Sequence, residues 1–508
     1  MGAARTGTIV FTGFMGAGKS RALRRARESG LDGVDVDEVL ERELGSPIEA
    51  FFAERGEAEF RRREEEAALR ALAEGHQVVA LGGGAVLSER VRAALRRHSV
   101  VWLRVEPDEL WRRARGSGRP LATDRAGFAR LYAEREQLYR EHAAAVLLSA
   151  DAVPRALPSL LALDAAGPVR LLWAETASAE YPAWVGDGAL RTATWPAAGK
   201  RYCVTDRVVA PLYAAALEPL AGRIEVEAGE SAKTMASAES VLRELARAGM
   251  TRRDHVVALG GGVVGDLAGF CAATYQRGVA VVQVPTTLLA QVDSAYGGKT
   301  GVDLPEAKNY VGAYHQPAGV IADTSTLASL PAAELAAGFV EALKTGLIAG
   351  GAVWEAVRSQ ARLDPDALAG LVFDCAVVKS AIVAADERDA GRRQALNLGH
   401  TIGHAIEAAG GYGHRHGEAV GLGLLAALRL SGADSLRAEV AGLLARHQLP
   451  TTLDSAVVTD DVLAAAGRDK KLVGGGANFV LCERPGEVRT GAEVDEGSLR
   501  AAMEELRG

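Results

Sequence analysis

The chain has 508 residues, which is the length of about three folding domains and excludes a small scaffold held together by disulfides. Its 58 basic and 65 acidic residues give a net charge of −7, so there is no global basic field for nucleic acid or anionic lipid, and any anion binding must be local. Hydrophobic residues make up 48% and charged residues 24%, as in globular proteins, and no apolar run reaches the roughly 18 residues of a membrane span.

Cysteine and glycine usage adds two constraints. The four cysteines lie far apart without a CxxC pair, which indicates a reduced, cytoplasmic chain without a thiolate metal site. The 58 glycines are about 11% of the 508 residues, above the usual share of about 7%, and many of them cluster. Such clusters predict loops in which bare backbone approaches a ligand.

Three regions with different patterning follow one another along the chain. Residues 1–167 alternate short apolar strands with arginine-rich helical stretches, the βαβ pattern of a parallel sheet covered by helices. A stretch rich in Ala, Leu and Pro indicates a domain junction near residue 167, and residues 168–330 repeat the α/β pattern. Residues 331–508 have few strand signals and the 3.6-residue apolar period of packed helices. We therefore expect an α/β protein of three domains with these boundaries.

A phosphate-binding loop opens the first region. The apolar strand TIVFTG runs directly into GFMGAGKS, which matches GxxxxGK[ST]. The backbone N–H groups of Gly16, Ala17 and Gly18 are expected to face the phosphates of ATP. Lys19 would place its charge on the β- and γ-phosphates, and the Ser20 hydroxyl would bind Mg²⁺. A glycine turn that merely matches this pattern is the alternative.

Several further motifs of the first region carry charge. Asp35 and Asp37 follow a short apolar stretch, where one carboxylate suits a magnesium shell and the other an acceptor hydroxyl. The block at residues 56–66, GEAEFRRREEE, is typical on its own of a solvated helix face with i,i+4 ion pairs. The sequence GGGA at 82–85 ends a strand and lets backbone approach a small ligand, and the arginines of residues 112–119 indicate a flexible cationic lid.

Together these motifs resemble shikimate kinase over residues 7–145, because the phosphate loop, DxD, GExxFRxxE, GGGA and RPL occur at that family's spacings. The resemblance implies a P-loop kinase domain that transfers a phosphoryl group from ATP, with Mg²⁺, to shikimate. The residues implied to bind shikimate are Asp37, Arg61, Gly83 and Arg135.

The same resemblance implies individual catalytic roles. Asp35 would hold Mg²⁺ through water, and Asp37 would orient and deprotonate the acceptor hydroxyl. Arg119, in the RPL motif, would close over ATP and, with Lys19, neutralise the transferred group. The chain departs from the family at Arg21, where a second Ser or Thr commonly follows.

A second glycine motif lies in the middle region. The strand HVVAL leads into GGGVVGD at residues 260–266, which satisfies GxGxxG. A standard dinucleotide fingerprint also needs an acidic residue about twenty positions on, and the chain has AVVQV there. Dinucleotide binding of another form and a purely structural glycine turn both remain open at this point.

Four of the ten histidines, namely His400, His404, His414 and His416, fall within seventeen residues of the third region. The spacing of His400 and His404 places them on one helix face, a common geometry for two metal ligands. From spacing alone this pair is the predicted ligand pair, no third ligand can be located, and chance clustering of surface histidines is the alternative. Cations and amides suited to a phosphate and a carboxylate accompany them, although any single lysine can be a solvated surface residue.

Residues from about 180 to 505 resemble 3-dehydroquinate synthase, on the motifs GGGVVGD, PTTLLAQVDS, GGKT, AKN, FVEALKTG, DERD, LNLGHTIGHA, HGEAV and RDKK. This resemblance implies an NAD-binding α/β domain over 168–330 and a helical metal- and substrate-binding domain over 331–508. It implies Zn²⁺ or Co²⁺ ligands at Glu341, His400 and His416, with His404 contacting substrate instead of metal.

The other residue roles implied by the resemblance fall into three sets. The residues that would line NAD⁺ are Asp206, Glu230, Lys233, Gly262, Val263, Val264, Gly265, Asp266, Thr286, Thr287, Lys299 and Lys308. Those that would bind the substrate DAHP are Arg277, Asp293, Lys308, Asn309, Lys470 and Lys471. Those implied in catalysis are Lys299, Lys344, Lys379, Asp389, Arg393, Asn397 and His404. The chain departs from the family at Ala228, at Ala295-Tyr296 and at Asp389, which is one carbon shorter than the usual Glu.

The implied synthase reaction oxidises a secondary hydroxyl of DAHP with NAD⁺, eliminates phosphate, returns the hydride and closes the ring to 3-dehydroquinate. Alternatives for this half are another sugar phosphate cyclase and a polyol dehydrogenase, and either half alone is open to a role as a non-catalytic ligand sensor. We expect a cytoplasmic enzyme with small-molecule substrates, without nucleic acid or membrane partners, and a homodimer through the synthase half.

Overall fold

The computed structural model describes residues 7–115, 124–411, 413–472 and 479–507, with the backbone alone described for 467–472. The chain divides into two compact units. The first comprises Met1–Glu175, Glu180–Trp184 and Thr192–Trp195, and the second comprises Thr176–Ala179, Val185–Arg191 and Pro196–Gly508.

The first unit contains a parallel sheet covered by helices. Its strands are β1 (Ile9–Thr12), β2 (Gly33–Asp35), β3 (Val78–Ala80), β4 (Ser99–Leu103), β5 (Ala145–Leu147) and β6 (Arg170–Glu175). Its helices are α1 (Lys19–Glu28), α2 (Val36–Leu44), α3 (Ile48–Ala73), α4 (Glu89–Leu95), α5 (Pro107–Ala114), α6 (Arg125–His142) and α7 (Val153–Ala162). The strands lie in the order β2-β3-β1-β4-β5-β6, and every neighbouring pair is parallel. Because helices cover both faces, β1, β3, β4 and β5 are buried along their whole length.

The second unit combines another parallel sheet with a helical region. The remaining strands are β7 (Glu180–Gly186), β8 (Arg201–Asp206), β9 (Gly222–Val226), β10 (His255–Gly260), β11 (Ala280–Pro285), β12 (Lys299–Leu304), β13 (Ala307–Tyr314), β14 (Gly319–Asp323), β15 (Phe479–Arg484) and β16 (Glu487–Ala492). The order β14-β11-β10-β8-β9 is parallel throughout, whereas β12–β13 and β15–β16 are antiparallel hairpins. Strand β7 has residues in both units.

Helices make up most of the described part of the region after residue 331. Its helices are α12 (Ala332–Ala349), α13 (Gly351–Arg358), α14 (Ala369–Ala385), α15 (His400–Ala409), α16 (His416–Leu430), α17 (Asp434–Arg446), α18 (Thr459–Leu472) and α19 (Glu496–Glu505). The helices that precede it are α8 (Ala189–Thr192), α9 (Ala210–Tyr213), α10 (Met235–Arg247) and α11 (Gly262–Thr274). Helices α12 and α14 are apolar on nearly all sides and are buried over most of their length. The charged residues Glu341, Lys344, Asp374 and Lys379 on these helices are buried, whereas Glu334 in the first turn of α12 is exposed. The hairpin β15–β16 is an addition to the helical region that the sequence did not predict.

The parallel sheets determine where ligands can bind. In open α/β sheets, ligands bind beyond the carboxyl ends of the strands, where loops lead into helices. Strand β1 leads into α1 through the phosphate-loop sequence, and β10 leads into α11 through the triple glycine. Each motif therefore lies at the carboxyl end of a strand in its own unit, where a ligand is expected.

All four cysteines are buried, and none of them is bonded to another. Over the described residues, no helix combines the length and the hydropathy needed to cross a bilayer.

Candidate active sites

The phosphate loop of the first unit has the backbone form that its glycines permit. Gly13, Gly16 and Gly18 have φ angles of 145°, 85° and 94°, which favour glycine. Lys19 begins α1, and its Nζ donates to the carbonyl oxygens of Gly13 at 3.0 Å and Phe14 at 3.3 Å. The ammonium group is thus folded back over the loop, where it could meet a phosphate group placed against the loop N–H groups.

A cavity of 440 Å³ lies beside this loop in the first unit. Of the predicted site residues, those that line it are Lys19, Ser20, Asp35, Asp37, Arg61, Gly83 and Arg135. Other lining residues include Met15, Phe52, Phe60 and Glu64. The structure therefore brings together, in one cavity, residues that are more than a hundred positions apart in the chain.

The carboxylates of the DxD motif have different environments. Asp35 is 3% exposed, and its Oδ1 accepts from the backbone N–H of Asp37 at 3.0 Å, which caps the start of α2. Asp35 Oδ2 is buried and has no hydrogen-bond partner among the described residues. A buried carboxylate oxygen without a partner is costly unless a cation or an ordered water meets it, which suits a magnesium shell.

Arg61 enters the cavity from α3. Its Nη1 donates to Glu64 Oε2 at 2.5 Å and its Nη2 to Glu57 Oε1 at 3.2 Å, so its planar head is fixed in one orientation. A Cβ on Gly84 would lie 1.8 Å from Arg61 Nη1, so glycine is required there for the guanidinium to reach this position. By contrast, Arg62 and Arg63 are exposed and pair with glutamates of their own helix.

A second buried arginine faces the same cavity from α6. Arg135 is 3% exposed, its Nη1 donates to the carbonyl oxygen of Gly83 at 3.4 Å, and its Nε is buried without a partner among the described residues. Burial lowers the pKa of this guanidinium, but arginine remains charged at neutral pH. Tyr139 also donates to the Gly83 carbonyl, at 2.5 Å, and its ring stacks on Trp102. A guanidinium in a cavity that forms no ion pair with any described residue is suited to a carboxylate ligand.

Arg21, which replaces the expected Ser or Thr, is paired with a carboxylate of the first unit. Its Nε donates to Asp151 Oδ1 at 2.9 Å, and Arg25 donates to the same carboxylate at 3.2 Å. Asp151 thus compensates the extra charge on the exposed side of α1. The predicted lid residue Arg119 lies outside the described residues.

The triple glycine of the second unit forms the turn between β10 and α11. A Cβ on Gly261 would lie 3.0 Å from Thr287 Cγ2, so this turn packs closely against the loop after β11. Asp266, on α11, forms an ion pair with Lys233 at 2.6 Å, and Lys233 also donates to the side chain of Asn309. Two of the predicted NAD⁺-side residues, the buried Lys233 and the half-buried Asp266, are thus paired at α11, next to the predicted substrate residue Asn309.

The candidate metal centre gathers residues from three helices. Glu341 on α12 is 1% exposed, and its Oε1 lies 3.5 Å from His400 Nε2 on α15 and 3.5 Å from His416 Nε2 on α16. His404 adds a third imidazole, and the ligand atoms of the three histidines lie within 4.8 Å of one another. Glu341 Oε1 is buried and accepts no hydrogen bond of good geometry from any described residue. One carboxylate oxygen and two imidazole nitrogens thus converge on a single point.

The protonation states of this cluster follow from its burial and charges. Burial, together with the Lys344 charge, lowers the pKa of His400 to about 3, so its imidazole is neutral at pH 7. Burial also acts to lower the pKa of His416, but the carboxylates of Glu341 and Glu407 outweigh it and raise the pKa to about 9. Binding of a cation at His416 Nε2 would therefore release a proton.

Two buried lysines share one carboxylate next to this centre. Asp293 Oδ1 lies 2.9 Å from Lys379 Nζ and 3.8 Å from Lys344 Nζ. Lys344 also contacts Glu341 Oε2 at 2.6 Å. Burial lowers the pKa of Lys379 to about 8, whereas for Lys344 the neighbouring carboxylates outweigh burial and raise the pKa. The site therefore holds a permanent cation and a lysine that can change its charge near neutral pH.

A third group of predicted residues surrounds the glycine pair at 297–298. Arg393 is 2% exposed and donates to the carbonyl oxygens of Glu387 at 2.6 Å and Gly297 at 2.9 Å. Lys299 forms an ion pair with Asp389, which adopts a φ of 62°. The shorter Asp389 thus still reaches the lysine, with its backbone in the left-handed region.

Some predicted residues lie apart from these groups. Among the described residues, Arg277 makes no hydrogen bond or ion pair with the cluster, and it lies in the exposed turn after α11 with a φ of 69°. Asp206 ends β8, where its Oδ1 accepts from the N–H groups of Val208 and Val209. The side chains of Lys470 and Lys471 lie outside what the structure describes.

Comparison with known proteins separates the two units by family. Three family models match: shikimate kinase over 15–162, 3-dehydroquinate synthase N-terminal over 223–337 and 3-dehydroquinate synthase C-terminal over 338–472. A 3-dehydroquinate synthase from Symbiobacterium thermophilum is 44% identical over 356 residues, which cover 66% of this chain and 99% of that protein. The chain belongs to the 3-dehydroquinate synthase family. It also carries a shikimate kinase domain, so it is a bifunctional enzyme of the shikimate pathway.

Two solved structures resemble the synthase half. One is a 2-deoxy-scyllo-inosose synthase complexed with carbaglucose-6-phosphate, NAD⁺ and Co²⁺, with 25% identity and a TM-score of 0.60 over 66% of this chain and 99% of that one. The other is a 2-epi-5-epi-valiolone synthase from Streptomyces hygroscopicus subsp. jinggangensis 5008 with NAD⁺ and Zn²⁺ bound, with 26% identity and a TM-score of 0.58 over 65% and 97% of the two chains. The predicted fold class and the two predicted activities are confirmed.

Two residues of this bifunctional enzyme were missed by sequence reasoning. Tyr139 follows Arg135 by one helical turn and shares its contact with Gly83. Glu407 follows His404 in the same way, is 2% exposed, and lies between Lys308 and His416. The sequence does show that each residue lies one helical turn after a motif residue. That its polar group is buried on the same helix face as the motif is apparent only from the fold.

Replacing Tyr139 with phenylalanine is expected to raise the KM for shikimate about three- to tenfold, with a smaller change in the KM for ATP. The change removes one buried hydrogen bond to the Gly83 carbonyl, worth on the order of 1 kcal/mol, and preserves the ring packing. Steady-state kinase assays measure both constants. Tyr132→Phe is the matched control, because its hydroxyl donates to Glu136 on the same helix. Equal shifts in the two KM values would contradict the assignment.

Proposed function

We propose that the cavity beside the phosphate loop is the shikimate kinase site and that the Glu341–His400–His416 cluster is the metal centre of the synthase. The single observation that carries the second assignment is the convergence of Glu341 Oε1 and two Nε2 atoms at 3.5 Å around a buried carboxylate oxygen without a hydrogen bond of good geometry. We also propose domain boundaries at 167/168 and 330/331. The first lies between the end of the shikimate kinase match at 162 and the start of the synthase match at 223, although β6 pairs with β5 in the first unit. The second lies seven residues before the junction of the two synthase matches at 337/338.

In the kinase site, the residues fit ATP with Mg²⁺. Ser20 at the start of α1 and the unpartnered Oδ2 of Asp35 would hold Mg²⁺, the latter through water. The loop N–H groups bind the phosphates, and Lys19 neutralises the charge of the transferred group. Magnesium supplies further charge neutralisation when bound.

The acceptor side of the same cavity is built for a hydroxylated carboxylate. Arg135, with its unpartnered Nε, and Arg61 would hold the carboxylate and hydroxyls of shikimate, with the backbone at Gly83 beneath the ring. Asp37 would orient the reacting hydroxyl and accept its proton. Arg119 keeps its proposed role as the residue that closes over ATP.

In the synthase site, the donor set fits Zn²⁺ or Co²⁺, since a carboxylate and two imidazoles leave a position for a substrate oxygen. The turn between β10 and α11, with Lys233 and Asp266, fits NAD⁺ beside it. When bound, the metal polarises a substrate hydroxyl, and NAD⁺ accepts and returns a hydride. Both cofactors accompany the two similar solved synthases, which supports their assignment here.

The chain's own residues then position a phosphorylated acid. Lys299, Asn309 and Asn397 would face the phosphate and hold it as it leaves, while Lys379 and Arg393 would hold the carboxylate end of DAHP. The Asp293 carboxylate lies against both buried lysines, Lys379 and Lys344. Lys379, with a pKa of about 8, is suited to transfer a proton during elimination. A polyol dehydrogenase has no need of this phosphate set.

We further propose a cytoplasmic homodimer formed through the synthase unit. The fully buried, unpaired cysteines support a reducing compartment. Several large apolar side chains on the second unit are exposed and available to an interface, namely Val208, Leu212, Met235 and Tyr310.

The test uses the purified full chain. We expect ATP-dependent phosphorylation of shikimate with Mg²⁺, and NAD⁺-dependent release of phosphate from DAHP that a strong chelator abolishes and Zn²⁺ or Co²⁺ restores. The kinase assay with excess Mg²⁺ after chelator removal is the internal control. No phosphate release from DAHP with both cofactors present, or preferred turnover of another heptulose phosphate, would contradict the synthase assignment.

A further inference from the structure

Glu407 is a buried carboxylate that the reaction as described does not use. It lies on α15, and the same helix face carries His404 and His400, at the i−3 and i−7 positions. Only 2% of the residue is exposed. A carboxylate is almost never enclosed to this degree without specific charged or hydrogen-bonded partners. Its neighbours therefore show what it does.

Two cations from different parts of the second unit face the two oxygens of Glu407. Oε2 lies 3.5 Å from His416 Nδ1, and Oε1 lies 3.4 Å from Lys308 Nζ on the hairpin β12–β13. Lys308 Nζ in turn lies 3.7 Å from Glu230 Oε1, before α10. Glu407 thus connects the helix that begins with His416 to the hairpin that carries the proposed nucleotide-side lysine.

The two proposed histidine ligands are oriented in the same manner. Each directs Nε2 at Glu341 Oε1, at 3.5 Å. The opposite ring nitrogen, Nδ1, faces an oxygen in both cases: the Leu398 carbonyl at 3.3 Å for His400 and Glu407 for His416. An oxygen on the far nitrogen fixes the tautomer and ring angle of a metal-binding histidine. Only the His416 partner is a side chain, so only this one can be removed by mutation.

We infer that Glu407 is a positioning residue of the synthase site, which orients the His416 imidazole so that Nε2 faces the metal and anchors Lys308 of the β12–β13 hairpin. This inference rests on the proposed metal centre. It adds a residue that touches neither substrate nor metal and acts through His416 and Lys308. The two contacts have separable consequences, since one affects metal affinity and the other affects the hairpin.

The orienting role is tested by metal affinity in the full chain, measured by competition with a chromophoric chelator. Glu407→Ala is expected to weaken Zn²⁺ binding by about 10- to 100-fold, the usual effect of losing such a partner. Glu407→Gln is expected to retain most of the affinity, because its amide oxygen can face Nδ1–H from the position of Glu407 Oε2. The absorption spectrum of the Co²⁺-loaded protein should change for alanine and be close to wild type for glutamine.

The anchoring role is tested by kinetics. In Glu407→Gln the ion pair with Lys308 is lost, so the KM for NAD⁺ is expected to rise about two- to fivefold with little change in kcat. Lys308→Ala should raise the same KM and leave Zn²⁺ affinity within twofold of wild type, because Lys308 acts on the hairpin side alone. An unchanged KM for NAD⁺ in Glu407→Gln would overturn the anchoring role, whatever the result for Lys308→Ala.

Two controls accompany these measurements. Glu355→Ala, on an exposed part of α13, is the matched control and should change neither metal affinity nor KM. Shikimate kinase activity in every variant reports on the integrity of the rest of the chain. Wild-type Zn²⁺ affinity in Glu407→Ala, or equal weakening by alanine and glutamine, would overturn the orienting role. Failure of the wild type itself to bind Zn²⁺ would instead refute the proposed metal centre.

Discussion

Replacing Lys19 with alanine is expected to lower the kcat for shikimate phosphorylation by about 10²- to 10³-fold or more and to leave phosphate release from DAHP unchanged. Lys19 Nζ lies over the phosphate loop, within 3.0 Å of the Gly13 carbonyl, where the charge of the transferred group develops. Paired assays on one preparation, of ADP formation with shikimate and of phosphate release from DAHP, measure both effects.

The sequence itself makes Lys19 an unusually sharp probe. It is the only lysine before Lys200, and apart from histidine every other basic residue in that stretch is arginine. The compact ammonium is therefore a specific choice in a domain that otherwise uses guanidinium groups. Lys19→Arg keeps the charge but not the shape, and we expect it to recover less than a tenth of the lost activity. Arg24→Ala, an exposed change on the same helix, should behave as wild type. Loss of both activities in Lys19→Ala would contradict two independent sites.

Contiguous motifs were predictable from the sequence because backbone geometry imposes them locally. The phosphate loop needs glycines at positions of positive φ, directly before a helix that begins with lysine, and such requirements leave a readable pattern. The alternation of apolar strands and helical stretches likewise indicated the α/β class, because parallel strands are buried on both faces. Family resemblance then supplied roles that single residues do not carry.

Ligand sets built from distant segments could not be derived in this way. Spacing alone favoured His400 with His404, yet the carboxylate that both His400 and His416 face is Glu341, far earlier in the chain. Which histidine turns toward Glu341 depends on how α12 packs against α16 and how α16 packs against α15, and no local pattern records that packing. Glu407 was missed for the same reason, since its burial arises only when α16 and the β12–β13 hairpin close around it.

Replacing His400 with alanine is expected to abolish phosphate release from DAHP, to below about one thousandth of wild type, while shikimate phosphorylation stays within twofold. The change removes one of the two imidazoles that face Glu341 and leaves a buried carboxylate with fewer partners, so Zn²⁺ affinity should fall sharply as well. Competition with a chelator measures the affinity, and the two activity assays measure selectivity.

The expected loss of Zn²⁺ affinity depends on the protonation states of the two histidines. His400 is neutral at pH 7, since burial and the Lys344 charge lower its pKa to about 3, so it is ready to bind a cation without losing a proton. His416, with a pKa of about 9, must release one, and its binding therefore weakens as the pH falls. Because His416 must lose one proton in either protein, we expect the Zn²⁺ affinity of His400→Ala to start lower than that of wild type and to fall with decreasing pH at the same rate. Thr401→Ala, the adjacent change on α15, is the control, and an unaltered Zn²⁺ affinity in His400→Ala would show that the metal binds elsewhere.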